Sequence, residues 1–347
     1  MRRSTVTVGA ALLVAWLGAC VAPPGEAPPR APADGTGDTA PSAAPAAPGD
    51  TAPSGAAAAG GTTQVVFLGT GTPLPDPDRA GAGTAIVVNG RSYLFDAGTG
   101  IVRRASAAAR MGVAGLDAVD LQIVFLTHLH SDHTLGLPDL ILTPWVMGRQ
   151  VPLEVYGPAG VRRMTDGIMA AWAEDIDHRL HDLQPSPPEG YRVTVHEVEA
   201  GVVYADDNVT VTAIPVLHGA WTAFGYRIQT PDKVVVISGD ARPTPALVEA
   251  CNGCDILIHE VYTEGSTARV TPDWRAYREA YHTSTRELAD IATRARPKLL
   301  VLHHRANPGC DQAGTDCGAS GSEEEALAEI RGAYAGQVVE AHDLDVF

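Results

Sequence analysis

The stretch THLHSDH, residues 127–133, follows the apolar run IVFL and places four potential ligands within six positions. His128 and His130 lie two residues apart at the end of a predicted strand, so both side chains can project to the same side. Asp132 and His133 follow in the next turn. Imidazoles and carboxylates are the ligands of zinc and similar divalent ions. The stretch therefore predicts half of a metal site, and a solvated polar loop is the alternative.

Short apolar runs bounded by glycine and proline begin at Thr63 and alternate with helical patterns further along the chain. This arrangement indicates an α/β protein with two sheets covered by helices. The segment MAAWAEDIDHRLHDL is predicted to form a helix over the mouth of the site. The predicted strands are QVVFLG, TAIVVNG, SYLFDAG, LQIVFLT, LEVYG, VTVTAIPV, GYRIQT, KVVVISGD, DILIHE, KLLVLHH and QVVEAHDLDVF. The predicted helices are GIVRRASAAARMG, VRRMTDGIMAAWAEDI, TSTRELADIATRA and SEEEALAEIRGAY.

The N-terminal segment has the pattern of an export signal. Arg2 and Arg3 precede the apolar stretch VGAALLVAWL, which is too short for a stable membrane span and leads into LGAC. Residues 1–20 are therefore predicted to be a lipoprotein signal peptide with Cys20 as the lipidated residue; an ordinary secretory signal is the alternative. Residues 21–62, of which 30 are Ala, Pro or Gly, are predicted to be a disordered linker. The expected location is the bacterial cell envelope, with residues 63–347 forming the folded domain.

Charge and cysteine content limit the partners further. The chain has 41 acidic and 25 basic residues and a formal net charge of -16, which works against non-specific binding to nucleic acid. After Cys20, four cysteines remain, in CNGC and CDQAGTDC. Two local disulfides, Cys251–Cys254 and Cys310–Cys317, are the simplest pairing for an exported protein, and a zinc site is the alternative.

HLHSDH resembles the HxHxDH motif of the metallo-β-lactamase superfamily. Other motifs follow in the order expected for its branch with ribonuclease Z and arylsulfatase-like hydrolases, so the resemblance covers nearly all of residues 64–347. It implies an αββα sandwich of two mixed sheets flanked by helices. The motifs are FLGTGTPLPDPDRAG, YLFDAGTG, IPVLHGAWTAFGYRI, VVVISGDARP, LIHEVY, HTSTRELADIA and LLVLHH.

The resemblance implies a site for two zinc ions, although manganese or iron suit the same ligands. The motif LxLxH, counted from Leu300, selects His304 over His303 as the late ligand. The implied ligands are His128, His130 and His218 for one ion and Asp132, His133 and His304 for the other, with Asp240 bridging both.

The resemblance also implies residues that assist the reaction. His282 in HTST matches a proton donor, and Glu260 in HEVY matches the carboxylate that orients it and raises its pKa. A carboxylate at the surface is the alternative reading of Glu260. Asp132 is expected to orient the attacking water, and Asp96 to brace the metal loop.

The substrate prediction depends on a short segment. Ribonuclease Z enzymes carry a long arm for transfer RNA between the segments matching His218 and Asp240, but only 21 residues separate them here. The preferred function is a zinc hydrolase that cleaves a small phosphodiester or aryl sulfate ester by metal-activated hydroxide. The alternatives are a ribonuclease Z-like enzyme acting on RNA, a lactonase or β-lactam hydrolase, and a non-catalytic metal-binding lipoprotein.

The expected partner is thus a small anionic ester, with no nucleic acid. Contact with a membrane is expected only through the lipid on Cys20. A homodimer is compatible with the sequence.

Overall fold

The computed structural model describes residues 63–267, 270–305 and 322–347. The predicted signal peptide and linker, residues 1–62, lie outside the described residues, and so do Cys310 and Cys317. Within the described part of the chain, no helix is long and apolar enough to cross a membrane.

The first sheet uses the first six strands in chain order. Its first two pairings are antiparallel and the following three are parallel. The strands are β1 (Thr63–Gly69), β2 (Gly83–Val88), β3 (Arg91–Phe95), β4 (Ile123–Phe125), β5 (Leu153–Gly157) and β6 (Val193–Glu197).

The second sheet has seven strands, also in chain order. Neighbours are antiparallel from the first to the fourth strand and parallel from there to the last. The strands are β7 (Gly201–Ala205), β8 (Thr210–His218), β9 (Trp221–Gln229), β10 (Val234–Ile237), β11 (Ile256–Val261), β12 (Leu299–Arg305) and β13 (Val338–Glu340).

Helices cover the outer face of each sheet and connect the parallel strands. Those of the first half are α1 (Ile101–Arg110), α2 (Ser131–Thr134), α3 (Leu137–Val146), α4 (Val161–Ala171) and α5 (Ala173–His181). Those of the second half are α6 (Pro245–Cys251), α7 (Glu264–Thr267), α8 (Pro272–Tyr281), α9 (Thr285–Ala295) and α10 (Glu323–Arg331).

Strand β1 shows how the layers form. Val65 and Phe67 pack between the sheets, in one cluster with Tyr226 of the second sheet. Val66 and Leu68 point the opposite way and pack in the cluster that contains α1. Alternate residues of a strand face opposite sides, so a strand buried on both faces appears as a continuous apolar run. The predicted αββα sandwich of two mixed sheets is confirmed.

The structure differs from the sequence prediction in a few elements. Strands β6 and β7 are not among the predicted strands. They are partly exposed edge strands: β6 (VTVHE) mixes polar and apolar residues, and β7 (GVVYA) is a short apolar run. The helix predicted across residues 161–176 is interrupted at Trp172, whose backbone leaves the helical region. A disulfide joins Cys251 to Cys254 after α6, as predicted for CNGC.

Candidate metal centre

Three histidine rings converge where β4 ends and the β8–β9 hairpin turns. Nε2 of His128 lies 3.0 Å from Nδ1 of His130, and Nε2 of His218 lies 3.1 Å from that same atom. His128 and His130 follow β4, whereas His218 ends β8, so the two sheets contribute jointly. With Asp240 these residues form the first group, whose ligand atoms lie within 4.8 Å of one another.

A second group consists of Asp132, His133 and His304, with ligand atoms that also lie within 4.8 Å of one another. Asp132 and His133 belong to the short helix α2, and His304 belongs to β12. Oδ2 of Asp132 lies 3.0 Å from Nε2 of His304 and 3.5 Å from Nε2 of His133. The structure thus brings together residues that are up to 172 positions apart in the chain.

Asp240 lies between the two groups. Its Oδ1 atom is 3.4 Å from Nε2 of His133 and 3.2 Å from Nδ1 of His304. Its Oδ2 atom is 4.0 Å from the Nε2 atoms of both His128 and His218. One carboxylate therefore presents one oxygen to each group, which is the arrangement a bridging ligand requires.

Unpaired buried atoms at this point fit a cation. Within the described residues, Nε2 of His133, Nδ1 of His304 and Oδ1 of Asp240 are buried without a hydrogen bond. Leaving one buried polar atom unpaired costs about 1–3 kcal/mol, so such atoms normally have partners. Ring nitrogens and a carboxylate oxygen that converge in this way are suitable ligands for a divalent ion.

Burial sets the protonation of the first group. It lowers the pKa of His218 to about 4 and also lowers the pKa values of His128 and His130. These rings are therefore neutral at neutral pH, which is the form that binds a metal. At His133 burial acts in the same direction, but nearby carboxylates, first of all Asp240, raise the pKa well above its ordinary value. A cation binding to His133 would displace this proton.

Hydrogen bonds on the far side of two rings fix their orientation. Nδ1 of His133 donates to Oδ2 of Asp96 at 2.8 Å, and Nδ1 of His218 donates to the carbonyl of Tyr281 at 2.8 Å. With the proton on Nδ1, the Nε2 lone pair faces the site. Asp96 also accepts hydrogen bonds from the backbone N–H and the hydroxyl of Thr127. It therefore braces the loop, as the resemblance implies.

The adjacent histidines of β12 have different environments. Nε2 of His303 donates to the carbonyl of Gly69 at 3.0 Å, and its ring packs 5.5 Å from that of Phe67. His304 has a φ of 48°, in the left-handed region, which interrupts the alternation of the strand. The structure therefore places His304, and not His303, in the second group.

His282 lies beside both groups at the end of α8. Its Nδ1 atom is 3.3 Å from Oε1 of Glu260 and 4.0 Å from Oδ2 of Asp240. Burial lowers the pKa of His282, but the charge and hydrogen bond of Glu260, together with the charges of Asp240 and Asp132, raise it above its ordinary value. Glu260 is buried and accepts hydrogen bonds from the backbone N–H groups of Thr283 and Ala241, so the surface reading of Glu260 is wrong.

Both groups open into a cavity of about 540 Å³. The predicted helix over its mouth is in a different place. Trp172, Asp175 and Arg179 instead line a separate groove of about 710 Å³ along α3. The residues that line the cavity of the metal groups are Thr72, Pro73, Leu74, His130, Asp132, Asp240, Asp273, Trp274, Tyr277, His282 and His304.

Helix α8 forms one wall of this cavity, and it is not among the helices predicted from the sequence. Trp274, Tyr277 and Tyr281 recur at intervals of three and four residues, which places them on one face of a helix. Thr271 and Pro272 mark the start of that helix, since Thr271 accepts a hydrogen bond from the N–H of Trp274. These signals could have predicted an aromatic helix directly before HTST.

Comparisons with known proteins show the family. The model of the β-lactamase superfamily domain matches residues 91–305. Ribonuclease Z of Mycobacterium bovis (strain BCG / Pasteur 1173P2) is 37% identical over 249 residues, which cover 70% of this chain and 85% of that protein. Ribonuclease Z of Mycobacterium sp. (strain KMS) is 38% identical over 253 residues, 71% of this chain and 85% of that protein.

Solved structures share the fold. The metallo-β-lactamase fold protein YhfI from Bacillus subtilis has a TM-score of 0.58 at 18% identity, covering 82% of this chain and 98% of that chain. Human tRNase Z, short form, has a TM-score of 0.56 at 24% identity, covering 82% of this chain and 98% of that chain.

The relatives named ribonuclease Z conflict with the expectation that nucleic acid is not a partner. The fold normally binds a dinuclear metal site, and both groups of histidine and aspartate ligands are in place. The chain belongs to the metallo-β-lactamase superfamily, as a hydrolase related to ribonuclease Z.

Proposed function

We propose that this protein is a metal-dependent phosphodiesterase that hydrolyses phosphodiester bonds of RNA. The position of Asp240 carries the proposal: its two oxygens face the two groups, and Nδ1 of His282 lies 4.0 Å from one of them. Two cation sites and an acid–base residue thus meet in a cavity of about 540 Å³, a volume typical of small-ligand sites. The ribonuclease Z relatives support RNA as the substrate.

We assign one divalent ion to each group, with zinc as the first choice because imidazole and carboxylate ligands suit it. Two such ions would supply Lewis acidity that lowers the pKa of water and neutralises charge on the phosphate. The proposed ligands are His128, His130 and His218 for one ion and Asp132, His133 and His304 for the other, with Asp240 shared.

The chain's own residues handle the proton. His282 holds a proton that it donates to the oxygen of the leaving group, and the nearby carboxylates, Glu260 first, favour the protonated ring by raising its pKa. Asp132 lines the cavity as a hydrogen-bond acceptor and orients the attacking water.

A small phosphodiester or aryl sulfate ester is the second candidate substrate. Strands β9 and β10 and their turns take up the 21 residues between His218 and Asp240, which leaves no length for a transfer RNA arm. The net charge of -16 also weakens attraction to a long polyanion. Both observations favour short substrates over folded RNA.

A substrate panel tests this proposal. Metal-loaded protein is incubated with single-stranded RNA, a precursor transfer RNA, a bis-aryl phosphodiester, an aryl sulfate, a lactone and a cephalosporin. We expect RNA and the phosphodiester to be cleaved. Turnover of the aryl esters without RNA would favour the second candidate, and turnover of only the lactone or the cephalosporin would overturn both.

The variant His282→Ala separates an enzyme from a non-catalytic metal-binding protein. An enzyme loses about 10²–10⁴-fold in kcat while its metal content stays the same, because a positioned general acid contributes roughly that factor. Unchanged hydrolysis would remove the proton-donor assignment.

We also propose that the chain is exported and anchored by a lipid on Cys20. Arg2, Arg3, the apolar stretch and LGAC support this localisation. Metabolic labelling with a radioactive fatty acid should label the protein in the membrane fraction, and the variant Cys20→Ser should not be labelled.

A further inference from the structure

The exposed face of α8 carries aromatic rings into the cavity. Trp274 is 41% exposed and Tyr277 is 37% exposed, and both line the cavity of the metal groups. Their rings are 5.5 Å apart, edge to face, and Tyr277 stacks on Tyr281 at 4.4 Å. Aromatic rings that remain exposed in the wall of a cleft provide a surface for a planar ligand.

The end of α8 is fixed relative to the reacting groups. The carbonyl of Tyr281 accepts a hydrogen bond from the ring of His218, and the ring of Tyr277 lies 5.7 Å from that of His282. His282 must reach the oxygen of the leaving group to protonate it. The part of the substrate that lies along Trp274 and Tyr277 therefore belongs to the leaving group.

The chemistry of this wall suits an uncharged ring with N–H groups. Among the described residues that line the cavity there is no lysine or arginine, so beyond the proposed metal ions and protonated His282, which is assigned to the leaving oxygen, these residues offer no cation for a second phosphate. Asp273 precedes Trp274 and can accept hydrogen bonds from the N–H groups at the edge of a nucleobase. Burial, followed by the charge of Asp240, raises the pKa of Tyr277 to about 12, which keeps its hydroxyl neutral.

We propose that Trp274 and Tyr277 form a subsite that stacks the nucleobase of the leaving nucleoside, which narrows the substrate to phosphodiesters with a base on that side. This inference rests on the proposed function, since it takes His282 as the proton donor. Stacking of a base on an aromatic side chain is tolerant of sequence, so the subsite selects a base over no base rather than one base over another.

Dinucleotides that lack one base test the subsite, because removing a base leaves the chemistry of the leaving hydroxyl nearly unchanged. Metal-loaded protein is given UpU and two abasic analogues, and the product released with a free hydroxyl identifies the leaving side. We expect loss of the leaving-side base to lower kcat/KM roughly 5- to 100-fold, the range for one stacked base. Loss of the other base should have little effect.

Variants locate the effect. The preference is the ratio of kcat/KM with the leaving-side base to kcat/KM without it. In Trp274→Ala and Tyr277→Leu this ratio should fall close to one, and Tyr277→Phe, which keeps the ring, should retain the preference. Trp172→Ala is the matched control, since Trp172 is 40% exposed and lines the other groove. An undiminished preference in Trp274→Ala would overturn the subsite, even if RNA is cleaved.

Binding gives a second readout that does not depend on turnover. Calorimetry compares uridine monophosphate with ribose 5-phosphate on metal-loaded protein, and we expect the nucleotide to bind about 10-fold more tightly, with the difference lost in Trp274→Ala. Equal affinities would overturn the subsite. If no dinucleotide or RNA is cleaved but this difference persists, the proposed function fails and the aromatic subsite stands.

Discussion

Oε1 of Glu260 lies 3.3 Å from Nδ1 of His282, and both side chains are buried. Burial alone would lower the pKa of His282, but Glu260 and then Asp240 and Asp132 together raise it above its ordinary value. Glu260 makes the largest of these raising contributions, so the pair influences the pH range over which His282 can act as an acid.

Replacing Glu260 should shift the pH dependence of the reaction. A general acid must be protonated, so the rate falls as the pH rises through its pKa. Glu260→Gln removes the largest charge that raises the pKa of His282, and we expect the high-pH limb of the kcat profile to move toward lower pH. Glu249→Gln, at an exposed carboxylate of α6, is the control. A limb that stays in place would contradict the pairing.

Replacing a ligand of one group should remove less metal from the protein than replacing the ligand that faces both groups. We expect two equivalents of metal in the native protein after dialysis and about one in His218→Ala. Asp240→Ala should retain less than one equivalent, because Asp240 faces both groups. Inductively coupled plasma mass spectrometry measures the content. Two equivalents in Asp240→Ala would argue against a shared ligand.

Gly219→Ala should damage the site through packing. Gly219 has a φ of 56°, and a Cβ atom there would lie 2.1 Å from the ring of Tyr281, whose carbonyl holds His218. Gly201→Ala is a matched control, with a φ of 118° and nothing within 4 Å. We expect Gly219→Ala to lower the free energy of unfolding by about 1–3 kcal/mol more than the control and to weaken metal binding. If Gly219→Ala and Gly201→Ala were equally stable in denaturant, the ring of Tyr281 would move aside without a loss of stability.

Arg149→Met should destabilise the fold without touching the site. The buried guanidinium donates hydrogen bonds to four carbonyls, those of Leu121, Leu140, Ile141 and Gly190. Methionine would leave these acceptors unpaired, at about 1–3 kcal/mol for each one that water cannot reach. We expect a loss of roughly 3 kcal/mol or more in urea unfolding, with metal content unchanged. The free energy of unfolding of Arg149→Lys should lie between those of the native protein and Arg149→Met, since lysine has three donors in place of five.

Where candidate ligands follow a strand, local spacing indicates which way their side chains point, and the structure brings such residues together in two groups that could hold metal ions. His128 and His130 show this most directly. The choice between His303 and His304 could be made only through the resemblance, because the positive φ of His304 breaks the alternation on which a reading from the strand depends.

The rest of the site depends on packing between distant segments. Tyr281 meets His218 across 63 positions, and no local pattern predicts that contact. The net charge describes the whole chain and does not decide the partner of one site, and relatives named ribonuclease Z conflict with the exclusion of nucleic acid.

The seven proposed ligands are divided between two stretches of chain that form separate sheets. The first contributes residues 128–133, and the second contributes His218, Asp240 and His304. During synthesis, a chain that has not yet emerged as far as β12 therefore has at most one of the two groups complete. The proposed dinuclear centre can assemble only once β12 has been made, so a chain terminated before His304 would lack the second group and is expected to be inactive.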